Sequence, residues 1–230
     1  MAADGGTAYT VLKSGRAVVA VNALTNQVTG SAALAADGAN LILGTAIPAR
    51  LYATTAARAV QVFAVPGLAQ VATISVGSSP NGLALSPDGQ TLYVSSRDGG
   101  SVVAVNVATN AVTRTYLIGG LPQQLAISPD GAELSVANEA GVLNVIIVSD
   151  GISISLPFPN GSLPFGIGLT PDSTQLFVTL AGSGEVRVLD RQSRSLVRTL
   201  TVGGTPRNVA FTSDGRFALV TNEAEVASIR

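Results

Sequence analysis

The 230-residue sequence contains no cysteine, no histidine and no tryptophan. Without cysteine there is no disulfide framework, no thiolate nucleophile and no Fe–S or cysteine-zinc site. Without histidine the commonest general base and the commonest transition-metal ligand are both missing. Charge is scarce as well. Charged residues make up 12% of the chain, and thirteen basic against fourteen acidic side chains leave a formal net charge of −1. Nucleic-acid binding would show as a basic excess clustered on one face, and attachment to an anionic membrane surface as a polybasic patch. Neither is present. Hydrophobic residues reach 47%, yet Gly and other small residues break every apolar run well short of the ~20 needed to span a bilayer as a helix. The reading is a soluble chain with no nucleic-acid partner, no membrane span and no cofactor. The opening Met-Ala-Ala-Asp-Gly-Gly lacks the basic and apolar regions of a signal peptide. The expectation is therefore a cytosolic chain, or a mature segment given a new starting methionine.

What the chain does have is repetition. "SPDGQTLYVSS" at 86–96 returns as "SPDGAELSVAN", "TPDSTQLFVTL" and "TSDGRFALVTN". Asp88, Asp130, Asp172 and Asp214 are each 42 residues apart, as are Gly77, Gly119, Gly161 and Gly203, and Pro80, Pro122, Pro164 and Pro206. Upstream, "AVVAVNALTNQVT" (17–29) matches "SVVAVNVATNAVT" (101–113) at an offset of 84, twice the repeat. A period in this range marks a solenoid, propeller or array. The expectation is one repeat domain over 1–230, with units of about 7–35, 37–76, 77–118, 119–160 and 161–202 and a partial unit at 203–230.

Each unit parses into four short strands rich in Val, Leu, Ile and Thr, separated by Gly, Pro, Asp and Asn. The inner-strand segments "GLALS", "QLAIS", "GIGLT" and "NVAFT" are apolar on both sides, as in a sheet covered on both faces. Their middle residue is always small: Ala84, Ala126, Gly168 and Ala210. That suits the innermost strand of radially packed blades. The fold class is all-β, a β-propeller of four-stranded antiparallel blades. Five blades close if "NVAFTS" supplies the missing inner strand of the N-terminal blade, and the chain is then a monomer. The alternative is a fragment of a six- or seven-bladed ring, whose bare blade faces drive self-association.

The unit "ISVGSSPNGLALSPDGQTLYVSSRDGGSVVAVNVATNAVT" resembles the YVTN-type β-propeller repeat, with its Val-Gly-x-x-Pro loop, Ser-Pro-Asp-Gly turn, Tyr93-Val94 strand and Thr109-Asn110 turn. The resemblance implies a bacterial or archaeal cell-envelope, surface or secreted protein that serves as a binding or structural module. Enzymes of the wider superfamily, among them lactonases and a streptogramin-cleaving lyase, lean on His, metals or cofactors. This sequence has no His to match.

In a propeller, the loops into the inner strand and those between the second and third strands share one face. The residues after the repeated prolines differ: Asn81, Gln123, Phe165 and Arg207. The second-to-third-strand loops add Lys13, Arg97, Asp98, Asn138, Glu139, Asn222 and Glu223. Dissimilar polar residues on a repeated scaffold make a candidate recognition surface, because loops carry function while strands carry packing. The plainer alternative is that surface loops are polar and drift. The repeated Asp88, Asp130, Asp172 and Asp214 are read as turn caps, since repetition in every copy is what a structural role requires. The Asn-Gly at Asn160 is read as a turn. "RVLDRQSRSLVR" is read as a solvated outer strand pair.

Two functions are in play. One is a non-catalytic module that binds a protein, peptide or glycan, with the glycan disfavoured by the absence of Trp. The other is a lactonase-like hydrolase that uses Asp98, Glu139 and Glu223 with a divalent cation.

Overall fold

The computed structural model describes residues 5–44, 48–223 and 227–229. Among these residues every regular element is a β-strand, and neighbouring strands pair antiparallel in six sheets. Among the described residues no helix is long and apolar enough to cross a membrane. The chain divides into two compact units, Met1–Leu117 and Ile118–Arg230.

The first unit holds three sheets. β1 (Thr7–Leu12), β2 (Ala17–Asn22) and β3 (Val28–Ala33) form a three-stranded sheet. A four-stranded sheet follows: β4 (Gly38–Gly44), β5 (Arg50–Thr55), β6 (Ala59–Ala64) and β7 (Gln70–Ser75). The third comprises β8 (Pro80–Leu85), β9 (Thr91–Ser96), β10 (Ser101–Asn106) and β11 (Ala111–Leu117). Successive sheets pack face to face through apolar layers. Val18, Leu51 and Phe63 fill one, and Tyr52, Val60, Leu92 and Val94 fill the next.

The second unit repeats the plan. Its first sheet is β12 (Pro122–Ile127), β13 (Glu133–Asn138), β14 (Val142–Ile147) and β15 (Ser153–Pro157). The next is β16 (Pro164–Leu169), β17 (Gln175–Leu180), β18 (Glu185–Asp190) and β19 (Leu196–Thr201). The last is β20 (Pro206–Phe211), β21 (Ala218–Asn222) and β22 (Ala227–Ile229). Leu143, Leu176 and Leu180 build one interlayer core, and Phe177, Val186 and Val220 the other. Four of the six sheets are four-stranded antiparallel propeller blades, as the repeat implies. The segment "NVAFTS" does not complete the N-terminal sheet, however. It lies in β20, which pairs with β21 from Pro206↔Asn222 to Phe211↔Ala218. A hairpin closed by a short turn costs far less chain entropy than a partner nearly two hundred residues away.

The repeated small residues and aspartates have visible causes. β16 runs beside β20, and a Cβ added at Gly168 would lie 3.1 Å from both Phe211 Cε2 and Val209 Cγ1. Asp88 Oδ1 accepts the Ser86 hydroxyl at 2.5 Å and Gln90 N–H at 3.0 Å, while Ser86 Oγ accepts Thr91 N–H. The same three bonds recur around Asp130, Asp172 and Asp214. The side-chain hydroxyl, then the backbone N–H, holds each of these carboxyls below its ordinary range. At Asn160-Gly161 the chain turns, with Ser162 N–H reaching Pro159 O at 3.2 Å.

"RVLDRQSRSLVR" departs from its reading. Arg198 is exposed, but Arg191 and Arg194, in the β18–β19 turn, reach across to Glu133 on β13. Their Nη1–Oε2 and Nη2–Oε1 separations are 3.4 and 2.6 Å. These arginines are half-buried ties between sheets, because each long apolar stem can lie along the neighbouring sheet while its head finds a carboxylate.

Candidate functional site

Every inner strand carries an irregularity in the same place. Pairing slips between Gly38 and Leu41, Pro80 and Leu83, Pro122 and Leu125, Pro164 and Ile167, and Pro206 and Val209. Such a bulge leaves backbone groups without ladder partners and re-aims the residues beside it. In three of these strands a buried hydroxyl on the second strand supplies the missing partner. Ser95 Oγ accepts Gly82 N–H at 2.7 Å, Thr179 Oγ1 accepts Gly166 N–H at 2.7 Å, and Thr54 Oγ1 accepts Asn40 N–H at 3.0 Å. Thr54 and Thr179 also donate onward to the next inner strand, Thr54 to Asn81 O at 3.0 Å and Thr179 to Arg207 O at 2.6 Å. Asn81 and Arg207, two of the residues after the repeated prolines, are thus held at the backbone. Sequence reading missed this row of hydroxyls, although Thr54, Ser95, Thr179 and Thr221 recur at one strand position.

In the first unit, Asp98 accepts the Ser79 hydroxyl and pairs with Arg97 Nη1 at 3.0 Å. The Ser79 hydroxyl first, and the Arg97 charge with it, hold the Asp98 carboxyl below its usual range. Asn81 is half-buried in β8, and Lys13 is exposed in the β1–β2 turn.

In the second unit, two of the candidate residues belong to the interior. Gln123 and Asn138 are both 1% exposed. Asn138 accepts Leu121 N–H and Ala140 N–H and donates to Gly119 O and Asn144 Oδ1. Asn222, one repeat pair later, laces its own loop in the same way, accepting Thr205 N–H and donating to Gly203 O, each at 2.8 Å. Glu139 is half-buried in the loop after β13. Three other candidates come together. The Arg207 guanidinium lies 4.4 Å over the Phe165 ring, and Glu223 Oε1 accepts its Nη2 and Nε at 2.9 and 3.0 Å. Glu223 is 60% exposed, so this aromatic–guanidinium–carboxylate stack stands at the surface.

A divalent cation does not fit this donor set. Asp98 is engaged by Ser79 and Arg97, and Glu223 by Arg207. Among the described residues no three acidic side chains gather as metal ligands would.

With the geometry in view, the comparisons are informative. The sequence model of the seven-bladed β-propeller lactonases matches residues 13–150. The chain belongs to that family. No curated protein matches the sequence. Among solved structures, a functionally unknown protein from Desulfotomaculum acetoxidans superposes with a TM-score of 0.83 at 16% identity, covering 98% of this chain and 79% of the other. Kuenenia stuttgartiensis hydrazine synthase gives 0.72 at 20% identity, over 100% and 94%. The Myceliophteria thermophila Cps50 (Swd1) β-propeller domain gives 0.70 at 13% identity, over 81% and 62%. At these identities the likeness is one of fold.

Proposed function

We propose that this member of the lactonase propeller family is a non-catalytic binding and scaffold module of YVTN-type repeats, working at the cell envelope or outside the cell. Its ligand on this reading is a protein or peptide that docks on the loop residues of the second unit. The observation that carries the reading is the Phe165–Arg207–Glu223 stack. Arg and aromatic side chains are the residues in which interface binding energy concentrates. Here the aromatic face orients a guanidinium while an exposed carboxylate leaves it open to exchange with an acidic partner group. The envelope setting is supported by the repeat resemblance alone.

The experiment is selection of displayed random peptides on the intact chain, followed by titration against Arg207→Ala. Enrichment of acidic peptides whose affinity falls at least about tenfold in the variant supports the reading. Enriched peptides that bind the variant equally well contradict it.

The family match favours a second reading, a hydrolase acting on cyclic esters. That reading requires a water-activating group, and the Ser79 hydroxyl, with Arg97, holds the Asp98 carboxyl below its usual range, while Glu223 is engaged by Arg207.

A further inference from the structure

The best-placed unassigned site lies at the opposite ends of the strands, on the turns of the first unit, and is independent of the loop surface. The first residue of the second strand occupies the same place in each complete sheet: Arg50 in β5, Thr91 in β9, Glu133 in β13 and Gln175 in β17. In the second unit, Glu133 is met there by Arg191 and Arg194 from the next sheet's outer turn. The residues 84 positions earlier are Val107 and Asn110, and the sheet before them presents Arg50. The charge at this repeated position is therefore reversed, and the facing turn supplies no carboxylate. Arg50 is half-buried. Its guanidinium makes one long hydrogen bond, 3.4 Å from Nη1 to Ala49 O, and no ion pair among the described residues. A groove of about 550 Å³ opens beside it, lined among others by Pro48, Arg50, Val71, Asp88, Gln90 and Val107. That volume lies within the range of small-molecule sites, which are mostly apolar with a few fixed polar groups.

We propose that this groove binds a small organic monocarboxylate, its acid seated on the Arg50 guanidinium and its apolar body against Pro48, Val71 and Val107. Arg recognises a carboxylate by paired charge-assisted hydrogen bonds. Asp88 sets the remaining specificity. Its Oδ1 is occupied by Ser86 and Gln90, but a carboxylate has acceptor capacity beyond two bonds. A ligand hydroxyl directed there is accepted, whereas a phosphate dianion facing one guanidinium and one carboxylate is disfavoured.

The test uses 4-hydroxyphenylacetate and its neutral primary amide as probes, with saturation-transfer NMR on the intact chain. The acid binds, and replacing it by the amide, or Arg50 by Gln, weakens binding by roughly tenfold. Val107→Glu places a built-in carboxylate where the second unit has its arginine, and it abolishes probe binding with the fold retained by circular dichroism. Equal binding of acid and amide, undiminished binding to Val107→Glu, or no transfer from either probe at about 10 mM overturns the proposal.

Discussion

Thr179 donates its hydroxyl to Arg207 O at 2.6 Å while accepting Gly166 N–H at 2.7 Å, and so ties the bulge of β16 to the inner strand β20. The residue is fully buried, so neither bond can be replaced by water. Thr179→Val keeps the shape but leaves a buried donor and a buried acceptor unmatched. It lowers stability by about 1–3 kcal/mol, read as a drop in urea midpoint at unchanged slope. Because Arg207 is held at its carbonyl by this bond, peptide binding at the Phe165 stack weakens in parallel.

Ser173 stands where the other turns of this type carry Gly89, Gly131 and Gly215, and all four have positive φ, +59° for the serine. A side chain in the left-handed region costs about 1–2 kcal/mol. Ser173→Gly therefore stabilises the second unit, by somewhat less than that because the unfolded chain gains freedom. A raised melting temperature is the expected outcome. Arg191, whose Nε donates to the Ser173 backbone carbonyl, keeps its partner.

The capped aspartates set an acid limit. Asp88, Asp130, Asp172 and Asp214 have folded pKa values below the ordinary one, chiefly through their neighbouring hydroxyls. A lowered folded pKa gives stability that is complete above the unfolded value of about 3.9 and is lost as pH falls through the folded value. The melting temperature should hold down to about pH 5 and decline below about pH 4. In Asp172→Asn the decline over that window is shallower, from a lower starting point at neutral pH.

Glu133 serves two arginines of the neighbouring sheet, and all three side chains are between 22% and 28% exposed. Glu133→Gln removes the carboxylate that both half-buried guanidinium groups contact, at a cost of about 1–2 kcal/mol after allowance for solvent screening. Hydrogen exchange checks this, with faster exchange expected at the β13 and β18 amides.

The architecture was legible because 42-residue repetition multiplies every local signal. A turn aspartate seen four times at one spacing is hard to read as anything but a cap, and the structure shows its three bonds four times over. The pairing of "NVAFTS" was not legible, because β20 has the same apolar character whichever sheet it joins. Asn138 and Gln123 looked like loop residues next to Glu139 and the repeated proline. Nothing in their identity shows that the Gly119–Gly120 loop closes onto Asn138 or that Gln123 is buried within β12. The Phe165–Arg207 stack joins residues 42 apart, neighbours only once adjacent blades pack. The Glu133–Arg194 tie hid in a charged stretch for the same reason.

The most direct test of the binding reading is a turnover assay on a panel of five- and six-membered lactones, with and without millimolar Ca²⁺, alongside the melting temperature. The account predicts hydrolysis no faster than buffer and no Ca²⁺-dependent rise in melting temperature. Turnover that disappears in Asp98→Asn, Glu139→Gln or Glu223→Gln would contradict it and establish a hydrolase on this scaffold.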